Sequence, residues 1–500
     1  MNDKKAIPLF VAIIPLVILI SLLSLNVYIY KDDAVSGSNQ IILIVSAAIA
    51  AGLAWLYGSS WKTLEGGVIN SLKLASPAIL ILLMVGALSG TWLLSGIIPT
   101  MIYYGLQVLN ATLFLFAACI ICAVVSVFTG SSWTTSATIG IALMGIGKVL
   151  GLHEGMIAGA ILSGAYFGDK LSPLSDTTNL ASASSGTELF THIRYLTITT
   201  VPSILISLTL FVALGFGAKD TAENVGVDEI LTTLNAQFNI TPWLLLVPIA
   251  VLAMILKKVP ALPALFAGTV LGGIFAFIFQ PDIVEQMGAA SGSEDFHNYI
   301  GIMQAAFGDT QLQTGNDTLD ELLSSSGMAG MMGTIWLIIS AMIFGGVMES
   351  SGFLRIITES VIRNVRSAGS LVAATAGTCM FTNVSASDQY LAVLVPGRMF
   401  ADSYKQRGLA SQNLSRTLED SGTVTSVLVP WNTCGAYHAG VLGVATLTYA
   451  PFAFFCILSP IITIAFAYIG FKVARTSDNE VIQTTSSQPV SKESDKPVSA

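Results

Sequence analysis

Asp169 and Asp176 stand on either side of Pro173 in the string GDKLSPLSD, two carboxyls in a chain of very low charge. Asp388 follows Asn383 in TNVSASDQ, and Glu419 and Asp420 precede a polar run that ends at Asn432. The surroundings decide what these acids can do. Residues are 53% hydrophobic and only 10% charged, whereas a soluble protein carries roughly 25% charged residues. A length of 500 residues is therefore converted into membrane spans, not soluble domains. An ionised side chain at the centre of a bilayer costs roughly 2.5–3.5 kcal/mol on insertion scales, which makes an intramembrane carboxyl a functional-site candidate by default. Low dielectric favours the protonated carboxyl, and a neighbouring cation favours the carboxylate. One group can then hold a proton or a small metal cation in turn, the physical core of ion exchange.

Neutral oxygens accompany the acids. Thr129, Ser131, Ser132, Thr134 and Thr135 fall in one polar run, and Ser172, Ser175, Thr177, Thr178 and Asn179 in a second. The later half of the chain has Thr382, Asn383, Ser385 and Ser387, then Thr423, Thr425, Ser426, Asn432 and Thr433. Pro173 and Pro430 cannot continue a helix and predict breaks. Inside hydrocarbon, non-helical backbone persists only where protein or a water-lined cavity covers it. Unwound carbonyls and half-helix ends there offer oxygens suited to a hard cation such as sodium. Any single hydroxyl is explained by small-residue packing and a bond to its own backbone. Four clusters in matching positions are not.

Other residues carry less. His153-Glu154 lacks the second histidine of a zinc helix, and His192, His297 and His438 are scattered singly. Cys119 and Cys122 spell C-x-x-C inside FAACIICAVV, without the βαβ context of a redox motif. Arg398 suits either a carboxylate cargo or a helix end at the interface, and Glu419 has Arg416 three residues before it as a helical partner. Neither a P-loop, a G-x-S-x-G, a nucleophile–base set nor a Cys/His metal cluster occurs, so no enzymatic chemistry and no cofactor are expected. Nucleic-acid binding is not expected either, because basic patches interleaved with aromatics are missing.

The elements that must position these groups are apolar segments near 6–30, 41–58, 77–98, 111–128, 193–216, 241–257, 261–280, 330–350 and 450–472. Each is close to the ~20 residues that cross the hydrocarbon core. Segments 131–150, 155–190, 369–400 and 413–447 are apolar but interrupted, which predicts broken or re-entrant helices. Lys4 and Lys5 precede an apolar run too long for a secretory signal, read here as the first span. Lys62, Lys73, Arg194, Lys257, Lys258, Arg355, Arg363, Arg366, Lys472 and Arg475 mark cytoplasmic segments. The acidic stretch 281–327 has neither Lys nor Arg and belongs outside. Lys405 and Arg407 fit neither side decisively.

A repeat is visible. SGTWLLSGIIPTMI (89–102) matches GGVMESSGFLRIIT (345–358), Phe128-Thr129 matches Phe381-Thr382, and Asn179 matches Asn432. With the loop charges, equivalent spans run in opposite directions. The predicted fold is an all-α polytopic membrane protein with two inverted-topology repeats. The divisions are N-terminal helices 1–60, a first repeat 61–217, connecting helices and an acidic external loop 218–327, a second repeat 328–473, and a disordered tail 474–500.

Three strings, GAYFGDKLSPLSDTTNLASA (164–183), DQYLAVLVPGRMF (388–400) and LSRTLEDSGTVTSVLVPWNTCGAY (414–437), resemble the NhaC family of sodium/proton antiporters, over residues 60 to 470 or so. The resemblance implies a homodimeric carrier with a scaffold and a mobile ion-binding domain that moves like an elevator. It associates Asp169, Asp176, Asn179, Asp388 and Asn432 with cation and proton handling. Relatives that look like malate/lactate exchangers leave a sodium-coupled organic acid as the alternative cargo. With the residue reading, the expected sodium and proton site comprises those five residues and Thr129, Ser132, Asn383, Ser385 and Asp420. The expected setting is the cytoplasmic (inner) membrane, multi-pass, lipid-embedded, with both termini cytoplasmic.

Overall fold

A computed structural model describes residues 7–30, 37–217, 227–290, 295–312, 314, 319–320, 323–362 and 365–476. Beyond Thr476, the expected tail lies outside the described residues, as do Lys4, Lys5 and Arg363. Helices α1 (Leu9–Tyr30), α2 (Ser38–Leu56) and α3 (Trp61–Leu94) open the chain, and a left-handed Gly96 turns it into α4 (Ile97–Val108). Then come α5 (Ala111–Thr129) and α6 (Ser132–Thr135), which runs through a π-turn at Ser136–Gly140 into α7 (Ile141–Val149). Next are α8 (Glu154–Leu171), α9 (Asp176–Ser185) and α10 (Leu189–Gly217).

The middle of the chain holds α11 (Val227–Gln237), α12 (Leu246–Leu256), α13 (Ala261–Phe279), α14 (Pro281–Ala289) and α15 (His297–Phe307). A two-stranded antiparallel pair, β1 (Thr310–Gln311) and β2 (Ser324–Ser325), sets Thr310 opposite Ser325. The later half runs α16 (Gly327–Gly330), α17 (Met332–Ser350), α18 (Phe353–Ile362), α19 (Ala368–Ser385), α20 (Gln389–Gln406) and α21 (Ser411–Leu418). A second π-turn at Glu419–Thr423 and a 3₁₀ turn at Ser426–Leu428 lead to α22 (Thr433–Leu442), α23 (Thr446–Tyr449) and α24 (Phe454–Ile469).

Among the described residues, seven helices are long and apolar enough to cross a membrane, and two further helix pairs reach that length across sharp bends. The fold is an all-α polytopic membrane protein with broken helices. Outward faces such as Phe266, Ile274, Phe277 and Ile278 on α13 are exposed, as a lipid-facing surface requires. The apolar segment at 77–98 proves to be the end of the much longer α3, whose first turns are capped by Ser60 accepting from the Thr63 amide at 3.2 Å. The described part of 281–327 is folded: α14 and α15 pair, and α15 packs on α3.

Helix starts follow the polar residues read from the sequence. Ser131, Ser175, Asp388 and Asn432 each accept a backbone N–H of the helix they begin. α5 and α8 approach so closely at Gly164 and Gly168 that a Cβ there would run into the Cys119 and Ala123 carbonyls. That contact fixes one break against the other. Lys405 and Arg407 lie on the face of the C-terminal segment: Leu409 bridges to Arg475, and the Thr476 amide donates to the Gly408 carbonyl at 3.0 Å. Arg407 also donates to the Val365 carbonyl at 3.1 Å, so the basic loops at 366, 405–407 and 472–475 share one side.

Candidate ion-binding site

Two crossings of interrupted helix build the site. In the first, the α5–α6 break at Thr129–Ser131 touches the α8–α9 break at Ser172–Ser175. Gly130 has φ 67°, and a Cβ there would lie 2.7 Å from the Leu174 Cβ and 3.0 Å from the Ser175 nitrogen. Only glycine supplies both the left-handed backbone and the clearance. In the second crossing, the α19–α20 break at Ala386–Asp388 meets the stretch before α22. The Thr433 amide donates to the Ser387 carbonyl at 2.9 Å, and the Trp431 indole donates to the Val384 carbonyl at 2.8 Å. Ser387 takes φ 60°, a left-handed conformation uncommon outside glycine, to make that turn.

A cavity of about 460 Å³ lies between the crossings. Thr129, Ser131, Asp169, Ser175, Asp176 and Thr177 line it from the first half, and Asp388, Tyr390 and Thr433 from the second. The opposite wall is apolar, formed by Leu74, Pro77, Ala78 and Ile81 of α3 and by the 258–261 turn, which brings Lys258 to the rim. Three carboxyls thus face one cleft, from breaks that are far apart in sequence.

Each carboxyl is held differently. Asp169 Oδ2 accepts from the Ser132 amide at 3.1 Å and the Ser132 hydroxyl at 2.7 Å. Asp388 Oδ1 accepts from the Leu391 amide at 3.0 Å, capping α20. Both are buried, whereas Asp176 is exposed to the cleft at the start of α9. Asp169 and Asp388 are thus both seated against helix starts, at the breaks the sequence marked.

The remaining expected residues surround the cleft. Thr129 lines it, with contacts of 3.4–3.5 Å to Ser126, Ser131 and Thr135. Asn179 donates to the Pro173 and Ser175 carbonyls at 3.0 and 2.7 Å, tying down the α8–α9 break from outside the cleft. Asn383 and Asn432 form a buried amide pair: Asn432 Nδ2 donates to Asn383 Oδ1 at 3.1 Å, and Asn383 Nδ2 donates to the Gly422 carbonyl at 2.7 Å. Ser385 donates to its own helix at Phe381, 2.7 Å. Asp420 lies behind the cleft in an ion pair with Lys170, accepting also from Ser459 at 2.9 Å, Thr199 at 2.7 Å and Thr463. Its oxygens are saturated.

Two features escaped the sequence. The helical spacing of Glu419 and Arg416 suggests a pair, but Glu419 accepts from Thr177 at 3.0 Å while Arg416 lies over the Tyr195 ring at 4.5 Å. Trp133 stacks on Tyr437 at 4.1 Å and accepts its hydroxyl proton at the backbone carbonyl, 3.1 Å. Both are contacts across halves, invisible to local spacing. A Thr in one polar break and an acid in the other were the available signal.

Crossed broken helices enclosing carboxyls inside a bundle of spanning helices define a polytopic membrane transporter. The chain belongs to the Na+/H+ antiporter family, whose family model matches residues 164–471. It is 39% identical over 436 residues to the Na(+)/H(+) antiporter NhaC of Alkalihalophilus pseudofirmus, covering 87% of this chain and 91% of that one. It is 36% identical to the Na(+)/H(+) antiporter NhaC of Bacillus subtilis, covering 86% and 92%. The malate-2H(+)/Na(+)-lactate antiporter of Bacillus subtilis is 35% identical over 96% of this chain and 99% of that one.

Proposed function

We propose that the protein exchanges sodium ions for protons across the cytoplasmic membrane, with Asp169 as the group that holds one or the other. The carrying observation is the placement of Asp169 in a cleft shared with Asp176 and Asp388, at the meeting of two helix breaks. In this reading sodium sits between Asp169, Asp388 and the Thr129 hydroxyl, with Asp176 at the entrance. Its positive charge replaces the proton that Asp169 carries when the cation is gone. Membership of an antiporter family supports this reading, and so do the two NhaC relatives.

The same element order occurs twice: a long helix, a glycine turn, a short helix, then two crossed breaks. We infer inverted repeats at 61–217 and 328–473, with both termini cytoplasmic and Lys258 on the cytoplasmic rim. The body carrying the breaks would slide like an elevator against a scaffold that includes α3, α13 and α17, in a homodimer. A second reading, sodium- and proton-coupled exchange of a small carboxylate, is favoured by the malate/lactate relative and by Lys258 at the rim. Proteoliposomes separate the two. The first requires a sodium-driven pH change with no organic anion present; a pH change that needs malate or lactate overturns it in favour of the second.

A further inference from the structure

Lys170 follows Asp169 directly at the end of α8, but where Asp169 lines the cleft, Lys170 turns away from it into the body of the protein. Its ammonium lands among oxygens drawn from both halves of the chain. Lys170 Nζ donates to Asp420 Oδ1, in the π-turn after α21, and to Ser459 Oγ of α24 at 3.0 Å. Ser459 donates in turn to Asp420 Oδ1 at 2.9 Å, while Asp420 Oδ2 accepts from Thr199 of α10 at 2.7 Å and from Thr463 of α24. All five side chains are buried. One carboxylate with neutral hydroxyls is the kind of oxygen set that a small hard cation takes. Helix interruptions surround it, as they surround the cleft. Asp420 sits in a π-turn, and Pro202 in α10 and Pro460 in α24 each fall within a turn of Thr199 and Ser459. Each proline removes the amide that would bond the carbonyl four residues back, at Ile198 and Cys456. Interrupted helices of this sort are where transporters seat their ions.

We propose that the Asp420 pocket is a second cation site, filled by the Lys170 ammonium as a tethered ion, and that Lys170 thereby limits each exchange cycle to the cation at Asp169. The site stands on its own contacts, whereas the limit on the cycle rests on the reading of Asp169 as the exchanging group. An ammonium is a compact point charge on a flexible stem, so it offers Asp420 the unit charge that a sodium ion would bring. Because the stem is covalent, that charge stays with the protein throughout the cycle. Cutting the stem back should let a free ion take the place. A short side chain at position 170 vacates the space of stem and amine, and methionine refills it without charge.

Equilibrium binding of radioactive sodium to the purified full-length protein, with choline holding the ionic strength constant, counts the sites. Lys170→Ala should bind one more sodium per chain than the wild type. Its thermal midpoint, low in choline chloride, should rise with sodium chloride by more than that of the wild type. Lys170→Met should gain neither, and Asp420→Asn added to Lys170→Ala should abolish both gains. Asp169→Asn added to Lys170→Ala should keep the extra sodium. A wild type without bound sodium thus counts against Asp169 as the exchanging group, while the difference between Lys170→Ala and wild type bears on the Asp420 pocket alone. Should Lys170→Ala not fold, Lys170→Ser replaces it, with a further oxygen in the same space. Equal sodium counts in wild type and variant, a gain that survives Asp420→Asn, or failure of both short side chains to fold in sodium overturns the site. In proteoliposomes, exchange by Lys170→Ala should rise more steeply with sodium than in the wild type, since two ions must then bind. An unchanged slope overturns the limit that Lys170 sets on the cycle.

Discussion

Lys170 and Asp420 form an ion pair, both side chains completely buried, that ties α8 of the first half to the π-turn of the second. Ser459, Thr199 and Thr463 complete the coordination of the carboxylate, and Lys170 also lies 5.3 Å from the Phe455 ring centre. Breaking such a pair by removing one partner leaves an uncompensated buried charge, worth about 3–5 kcal/mol. Lys170→Met and Asp420→Leu should each lower the thermal midpoint of the detergent-solubilised protein sharply. The double variant should recover most of the loss, because it removes both charges together. Single variants as stable as the wild type would show that the pair contributes nothing to the fold.

Asp169 and Asp176 separate by burial, and their variants should separate by kinetics. Asp169→Asn retains the shape of the side chain beside Ser132 but cannot exchange a proton for a cation, so sodium-driven proton movement should vanish while the protein remains folded. Asp176 is exposed to the cleft, where water screens it. Loss of its charge forfeits attraction on the order of 1 kcal/mol, so Asp176→Asn should raise the sodium needed for half-maximal exchange by about fivefold. Measurement in proteoliposomes across a sodium series distinguishes the two. Equal defects in both variants would contradict the division of roles.

Asp388 has two duties that substitutions can part. Its Oδ1 caps α20 through the Leu391 amide, and its charge faces the cleft. Asn caps as well as Asp, whereas Ala costs about 1 kcal/mol at such a position. Asp388→Asn should therefore keep the wild-type thermal midpoint yet lose most sodium-dependent exchange. Asp388→Ala should lose both. An Asn variant with full exchange would leave Asp388 as a cap and nothing more.

The breaks were legible because helix starts announce themselves chemically. Ser131, Ser175 and Asn432 sit in polar runs embedded in apolar sequence, and Pro173 and Pro430 forbid continuous helix nearby. The spans were legible for the same reason in reverse, since about twenty apolar residues leave few alternatives. Contacts between the halves were not. Nothing local in LEDSGT says whether Glu419 or Asp420 meets the lysine beside Asp169, because consecutive residues point to different sides of the chain and the packing of α8 makes the choice. Ser175 and Asn432 each cap a helix start, while Asn179 braces the α8–α9 loop from a turn further on, a division of labour that residue type alone does not announce.

The cleft also makes a topological prediction. Leu174 lies in the α8–α9 break, 41% exposed, and lines the cavity that has Lys258 at its rim. All five native cysteines are buried, so a cysteine placed at Leu174 would be the one thiol readily reached by a charged, membrane-impermeant reagent. Thiolates react and buried apolar thiols do not, which keeps the wild-type background low. Leu174→Cys should label rapidly when the reagent meets the cytoplasmic face in inside-out vesicles, and sodium should slow the labelling by occupying the cleft. Labelling from the external face alone would place Lys258 outside and reverse the orientation assigned from loop charge.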